Sequence, residues 1–387
     1  MTVVDSSPVQ PDGLSDRARR WAATMDGHAD DGMAVRSAHA DSLAAVRLRA
    51  PLRREEREQI EGALMADGAT RAVGSGDRPR SEPADPERTC FERDRDRILH
   101  AAPFRRLAGK TQVFIFPDDH QRTRLTHALE VTQVATSIAR ALRLNVALTE
   151  AIALGHDCGH GPGGHASEDA LAPFLPEGFD HAVWGADVVL APLNLCRETT
   201  DGIRNHSWSR PAPRTPEGEV VSWADRIAYV CHDFEDAVSA GVVTPADLPA
   251  VVRERCGTTR SAQLRAFIAA VVEATLEGGR VGMAPPLAEA LAAFRACDYE
   301  RIYLRPESVQ QAEAVHRVLR GLVEHVAGSP DLLPAPSAEA AGWPAPSSPE
   351  ALRAAVTYVA GMTDRYAVAR AERWLGPDVT AVGLGVV

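Results

Sequence analysis

The stretch that decides the fold reads His156-Asp157-Cys158-Gly159-His160-Gly161-Pro162-Gly163-Gly164-His165-Ala166-Ser167-Glu168. It places three histidines and two carboxylates within thirteen residues. Upstream, Asn145 is a good helix N-cap, and Leu148, Ile152 and His156 follow at steps of four on one face. A buried helix is therefore predicted to run from Asn145 to near Asp157. Gly159, Gly161, Pro162, Gly163 and Gly164 stop it and let the backbone approach a ligand closely. Further upstream, His127, Val131, Val134, Ile138 and Leu142 recur at helical spacing, which predicts a helix over about Leu125 to Leu144 with His127 on its buried face. Downstream, Ala224, Ile227, Cys231 and Val238 form the core stripe of a helix over about Glu219 to Ser239, with Asp225 beside the stripe. Period-two patterns are scarce, and residues 89–325 read as helical almost throughout. The expected fold class is mainly α, with few or no strands.

Three helices thus bring His127, the adjacent pair His156-Asp157, and Asp225 to buried faces. Imidazole and carboxylate together suit a divalent cation and leave positions for water and substrate. A single buried His is ordinarily a hydrogen-bonded core residue. A His-Asp pair at a Gly-rich helix end, followed by His160, His165, Glu168 and Asp180-His181, is not well explained that way. His165 and Glu168 are three apart, a spacing at which the carboxylate could orient the imidazole for proton transfer. Cys158 invites a zinc–thiolate reading, but such a site would carry a second Cys or two His on one unbroken helix.

Composition bounds the rest. The chain has 387 residues, with 45% hydrophobic and 25% charged, as in ordinary globular proteins. No apolar run reaches the ~18 residues of a membrane span. Met1 to Asp16 lacks a basic region followed by an apolar stretch, so no secretory signal is expected. The six cysteines form no CxxC pair, and a reduced, cytoplasmic protein is expected. A net charge of −11 opposes a role in coating nucleic acid, although local binding stays open. Arg88 to Arg124 holds nine Lys/Arg against five acidic residues, which is either a site for a small anion or a face laced with internal ion pairs. Residues 1–51 read as an N-terminal extension, a frayed helix over Gly13 to Ala50 or a disordered stretch. Residues 52–387 read as one domain, with irregular segments at 66–88 and 328–349 and a further helical segment from Glu350 to Trp374.

The chain resembles the HD superfamily, and within it the deoxyguanosine triphosphate triphosphohydrolase-like (dNTP triphosphohydrolase) family. Phe91-Glu92-Arg93-Asp94-Arg95-Asp96-Arg97-Ile98-Leu99-His100, Phe104-Arg105-Arg106-Leu107 and Lys110-Thr111-Gln112-Val113-Phe114 resemble its N-terminal signature. Arg122-Thr123-Arg124-Leu125-Thr126-His127 and Ala224-Asp225-Arg226-Ile227-Ala228-Tyr229 resemble the segments with its first and last metal ligands, and Tyr358 to Ala367 its C-terminal motif. The similarity runs from near Leu52 almost to the end. It implies an all-helical HD-type enzyme that hydrolyses a deoxynucleoside triphosphate at the α-phosphorus to deoxynucleoside and triphosphate. It implies one divalent ion (Mn, Mg, Fe, Co or Ni) on His127, His156, Asp157 and Asp225, with His165 and Glu168 as the proton-transfer pair. His160 and His181 would contact phosphate oxygens and Arg124 would clamp them, while Gln112, Tyr229 and Asp233 would hold the sugar. It also implies a homo-oligomer, often a hexamer.

Several positions depart from the family pattern. Gly163 stands where a Phe is usual, Cys158 where Leu or Ile is common, and Phe179-Asp180-His181-Ala182 replaces Phe-x-His-Asn. The segment from His181 to Asn194 is shorter than usual. The expectation is an adapted, wider pocket near His165. Two alternatives accompany the main reading: an HD phosphohydrolase acting on a monophosphate or modified nucleotide, and a nucleotide sensor without turnover.

Overall fold

The helix that carries the site is fixed at its start by Asn145. Its side chain accepts from Leu148 N at 3.1 Å, while its own backbone N donates to Glu217 at 2.9 Å. Glu217, fully buried, also accepts from Thr70 N at 3.0 Å and Thr70 Oγ1 at 2.7 Å, so one carboxylate joins three separate segments. In the computed structural model, described over residues 15–24, 27–29, 35–42, 46–47, 50–114, 121–335 and 342–379, the chain divides into two units, Met1–Pro51 and Leu52–Val387.

In the first unit, helix α1 (Asp16–Ala23) is capped by Ser15 and buries no residue. A two-residue antiparallel pair follows, His28–Ala29 with Arg36–Ser37. The frayed helix expected over Gly13 to Ala50 is therefore a short helix and a small hairpin among the described residues, because Gly27 takes a left-handed turn that no helix accommodates. Much of this segment lies outside the described residues.

The second unit is helical: α2 (Arg54–Leu64), α3 (Cys90–His100), α4 (Ala102–Arg106), α5 (Arg124–Ala141), α6 (Val146–Gly155), α7 (Ala166–Leu171), α8 (His181–Trp184), α9 (Arg197–Asn205), α10 (Pro216–Ser239), α11 (Ala250–Cys256), α12 (Arg260–Gly278), α13 (Pro285–Asp298), α14 (Pro306–Gly328), α15 (Pro349–Ala360) and α16 (Asp364–Leu375). The mainly α expectation holds. Residues 66–88 are irregular, as expected. Part of the expected loop at 328–349 lies outside the described residues. The expected C-terminal helical segment splits into α15 and α16 at Gly361–Thr363, where Thr363 leaves the helical region to become the N-cap of α16.

Two apolar cores result. The larger packs α3, α5, α6, α9 and α10 around Phe91, Ile98, Ile138, Ile152, Ile203 and Ile227, and extends to α11–α13. The smaller packs α7, α14, α15 and α16 around Leu171, Leu319, Leu322 and Val356. Residues 156–165 pass from the first core to the second.

Candidate metal centre and active site

Each of the four expected ligands sits where a helix presents it. His127 lies in the first turn of α5, whose start is set by a reciprocal Thr123–Thr126 cap. His156 is the C-terminal cap of α6, Asp157 follows it, and Asp225 lies within α10. His127 Nε2 is 3.1 Å from Asp225 Oδ1 and 4.0 Å from Asp157 Oδ2. His156 Nε2 is 3.5 Å from Asp157 Oδ1 and 3.7 Å from Asp225 Oδ1. Two ligands at ~2.1 Å from a common ion stand roughly 3–3.5 Å apart, so these spacings suit one cation with little adjustment.

The donor chemistry fits as well. His156 Nδ1 donates to Ala153 O at 2.7 Å, which leaves Nε2 as the lone-pair nitrogen. That nitrogen is buried and has no hydrogen-bond partner among the described residues, an orphan that a cation would satisfy. Burial opposes charge on Asp157, yet His156, Arg124 and His160 around it hold its carboxyl well below the usual range. Burial likewise opposes charge on Asp225, and its bond to His127 outweighs this and depresses its pKa. Both carboxylates are ionised at neutral pH, as metal ligands must be.

Around this cluster stands a wall of polar side chains. His160 stacks on His181 with ring centroids 3.8 Å apart, and its Nε2 is 3.2 Å from Asp157 Oδ1. Glu168 hydrogen-bonds His181 Nδ1 at 2.5 Å and lies 4.0 Å from His165 Nδ1. The expected His165–Glu168 pair is thus near but not bonded, and the Glu168 carboxylate faces His181. His165 precedes α7 with 78% of its side chain exposed, so it stands at the mouth of the site. Arg124 is buried and donates Nη1 to Asp157 Oδ2 at 2.6 Å, while its Nε has no partner among the described residues.

The stripe of Asp225, Tyr229 and Asp233 on α10 is present, but its outer members are engaged. Tyr229 Oη accepts from Arg295 Nε at 2.8 Å, and Asp233 Oδ2 accepts from Tyr303 Oη at 2.5 Å. Burial pushes Asp233 up to about 7. Gln112 Oε1 is buried without a partner among the described residues.

One expectation needs correction. Gly163 does not open the pocket. Its φ is +76°, an added Cβ would lie 2.7 Å from Val315, and its N donates to Asp364 Oδ1 at 2.9 Å. The missing side chain faces Val315 of α14. Of the two readings of the basic stretch, the ion-paired one fits most of its arginines: Arg97 meets Glu82, Arg88 meets Asp85 and Asp96, and Arg122 meets Glu130, Glu235 and Asp236. Cys158 points to Leu154 O, and burial pushes its thiol up to about 12, so it offers no thiolate.

One site residue was absent from the sequence reading. His206, just past α9, is buried, with its ring 4.9 Å from that of His156 and its Nε2 3.2 Å from His181 Nε2. Only its place at the end of an amphipathic helix, three residues after the buried Ile203, could have pointed to it.

The comparisons with known proteins agree with this geometry. The HD domain model matches residues 124–230, and the phosphohydrolase-associated domain model matches residues 281–373. A deoxyguanosinetriphosphate triphosphohydrolase-like protein of Caldanaerobacter subterraneus subsp. tengcongensis is 41% identical over 322 residues, covering 81% of this chain and 93% of the relative. Proteins of the same description from Clostridium perfringens strain 13 and Desulfatibacillum aliphaticivorans are 39% and 36% identical, covering 81% and 84% of this chain and 93% and 98% of theirs. HD domains bind divalent metals, and the buried His/Asp groups here could hold one. Among the described residues no helix is long and apolar enough to cross a membrane. The chain is a phosphohydrolase that belongs to the HD-domain family of deoxyguanosinetriphosphate triphosphohydrolase-like proteins.

Proposed function

We propose that this phosphohydrolase cleaves a 2′-deoxynucleoside triphosphate at the α-phosphorus, releasing deoxynucleoside and intact triphosphate. The observation that carries the chemistry is the orphaned His156 Nε2, held by Ala153 O toward Asp157 and Asp225 in a buried cluster. The names of the relatives support the choice of nucleotide. His127, His156, Asp157 and Asp225 would hold one divalent cation, of the Mn, Mg, Fe, Co or Ni group. Bound there, such an ion supplies Lewis acidity at the phosphoryl oxygen and a more acidic water.

The chain's own groups do the rest. Arg124, with its Nε unpartnered beside Asp157, offers a charged donor to a phosphate oxygen. His160 and His181 form the wall along the phosphates. His165, at the mouth, handles a proton as the water oxygen bonds to phosphorus and the bond to the 5′ oxygen breaks; the leaving oxygen takes up that proton. Gln112, Tyr229 and Asp233 would line the sugar. Six free cysteines, none paired, support a reducing cytoplasmic location.

A second reading, hydrolysis of another nucleotide, draws on one observation. Asp233 and Tyr229 already have protein partners in Tyr303 and Arg295, which leaves less capacity for a 3′-hydroxyl. Incubating the cation-loaded protein with dNTP, rNTP, 2′,3′-dideoxy-NTP and monophosphate panels separates the readings. Triphosphate released mainly from dNTPs supports the first. Orthophosphate from monophosphates, or equal turnover of dNTP, rNTP and ddNTP, would refute it.

A further inference from the structure

Outside the cation cluster, the fold brings two thiols together. Cys90 is the first residue of α3, and Cys196 is the N-cap of α9. Cys196 Sγ lies 3.9 Å from the Cys90 carbonyl oxygen. Its contact with the Cys90 thiol, followed by burial, pushes the Cys196 thiol well above its ordinary range. Both sulfurs face Gly76. A Cβ added there would lie 3.1 Å from Cys90 Sγ and 3.7 Å from Cys196 Sγ, so the turn at Gly76, with φ of +84°, closes over the pair only because it carries no side chain.

The two cysteines differ in access. Cys196 is buried, and its backbone N donates to Asp94 Oδ2 at 2.8 Å, which fixes it in place. Cys90 is half-buried and lines a cavity of about 380 Å³ walled by residues 72–78 and 80–85. Arg78, in that wall, donates Nη2 to Cys90 O at 3.0 Å and sets a positive charge beside Cys196. Reactive cysteines occupy such electropositive, partly exposed places, and one with a second thiol in contact has a resolving partner at hand. Sulfurs already in contact reach bonding geometry by side-chain rotation.

We propose that Cys90 and Cys196 are a reversible oxidation site, which a hydroperoxide closes to a disulfide. Cys90 Sγ attacks a peroxide oxygen, the O–O bond breaks, and the departing oxygen leaves as water (or alcohol) with the Cys90 proton; Cys90 is then a sulfenic acid. Cys196 Sγ attacks Cys90 Sγ, the S–O bond breaks, and that oxygen leaves as water with the Cys196 proton. The two thiols lose two electrons in all, and the peroxide gains them. Two equivalents of a small thiol reopen the bond and become a disulfide themselves. The closed bond ties the start of α3 to the start of α9. These helices meet α6 at Gly155, where an added Cβ would lie 2.6 Å from Ile203 and 3.3 Å from Ile98. The disulfide is thus a clamp on the packing one residue before His156.

The test exposes the reduced full chain to hydrogen peroxide until free cysteine in the same solution is fully oxidised. Remaining thiols are alkylated under denaturing conditions, peptides are mapped by mass spectrometry without reduction, and the thermal midpoint is read before oxidation, after it and after dithiothreitol. The parent should lose two of its six thiols to a linked Cys90–Cys196 peptide. Its midpoint should rise by roughly 2–10 °C, because the bond closes a long loop in the unfolded chain, and dithiothreitol should reverse the rise. Cys90→Ser and Cys196→Ser should each show neither link nor rise, and in Cys196→Ser the Cys90 sulfenic acid should be trapped by dimedone. The parent alone decides the link, whatever the stability of the variants. Alkylation of both Cys90 and Cys196 after peroxide, or Cys90 carried to sulfinic acid without a link, overturns the site. A rise in midpoint that persists in both variants overturns the clamp.

Discussion

Replacing Asp364 with alanine should loosen the site from more than two hundred residues away in sequence. The Asp364 carboxylate, at the start of α16, is buried and accepts from Thr111 N at 2.8 Å, Thr111 Oγ1 at 2.5 Å and Gly163 N at 2.9 Å. Beside it, the buried Lys110 amine bonds Ala360 O at 3.0 Å and also His160 O. The C-terminal helices thus hold the backbone of the Gly-rich segment that carries His160 and His165. Alanine leaves the N–H groups of Thr111 and Gly163 buried without partners, at about 1–3 kcal/mol each. The expected loss is therefore about 2–6 kcal/mol, a large part of the roughly 5–15 kcal/mol that holds a typical domain folded. Asp364→Asn keeps one acceptor oxygen and should lose about half as much. Urea denaturation gives the stability change from the midpoint and slope, and turnover at saturating nucleotide gives the effect on the site. Turnover should fall while cation occupancy, which depends on α5, α6 and α10, is retained. A stability change in Asp364→Ala within about 0.5 kcal/mol of zero, the range of an ordinary surface substitution, would refute this account.

Three further outcomes follow from the geometry. Asp157→Ala should lose most bound cation, since this carboxylate is shared by His156, His160 and Arg124; full occupancy by metal analysis would remove Asp157 from the ligand set. His165→Ala should keep cation and nucleotide binding and lose turnover by about 10²–10⁴-fold, and unchanged turnover would exclude its proton role. Burial, with Asp233 nearby, pushes Asp298 up to about 9, and both its oxygens lack partners among the described residues. The folded carboxyl therefore keeps a proton that the unfolded chain releases near pH 4, so stability declines as pH rises from about 4 to 9. Between pH 5 and 8 this amounts to at most about 4 kcal/mol, and Asp298→Asn should flatten the decline in urea midpoint; an identical slope in the variant would show that Asp298 carries none of it.

What the sequence showed and what it hid divide along a physical line. Helical periodicity placed His127, His156 and Asp225 on buried faces because burial repeats every three to four residues whatever a helix packs against. The Asn145 cap and the glycine stop after Asp157 were legible for the same reason: they are local. The partner of Glu168 was not. Spacing of three pointed to His165, but the two side chains stay 4.0 Å apart, and the His165 ring, largely exposed at the mouth of the site, lies beside His160 instead. Glu168 instead meets His181, thirteen residues on, a contact that spacing along one helix cannot show. His206 and Asp364 were hidden more deeply. Each looks like an ordinary polar residue near a helix end, and each matters only through contacts that span 25 to 253 residues.

The same distinction explains why the site lies where it does. α6 belongs to the larger core and α7 to the smaller, and residues 156–165 connect them. A connection between two apolar cores cannot itself be apolar throughout. Its backbone has left the helix and needs partners, and the structure supplies Asp364 to Gly163 N and Lys110 to His160 O. Close packing at Gly159, where an added Cβ would lie 1.9 Å from His181 O, then draws α8 and its histidine against this backbone. The larger core thus provides Asp157 with His127, His156, His206 and Asp225, while the seam provides His160, His165, Glu168 and His181. Under the proposed reading, a variant at the seam should alter turnover before it alters cation binding at His127, His156, Asp157 and Asp225, and a variant in α5, α6 or α10 should do the reverse.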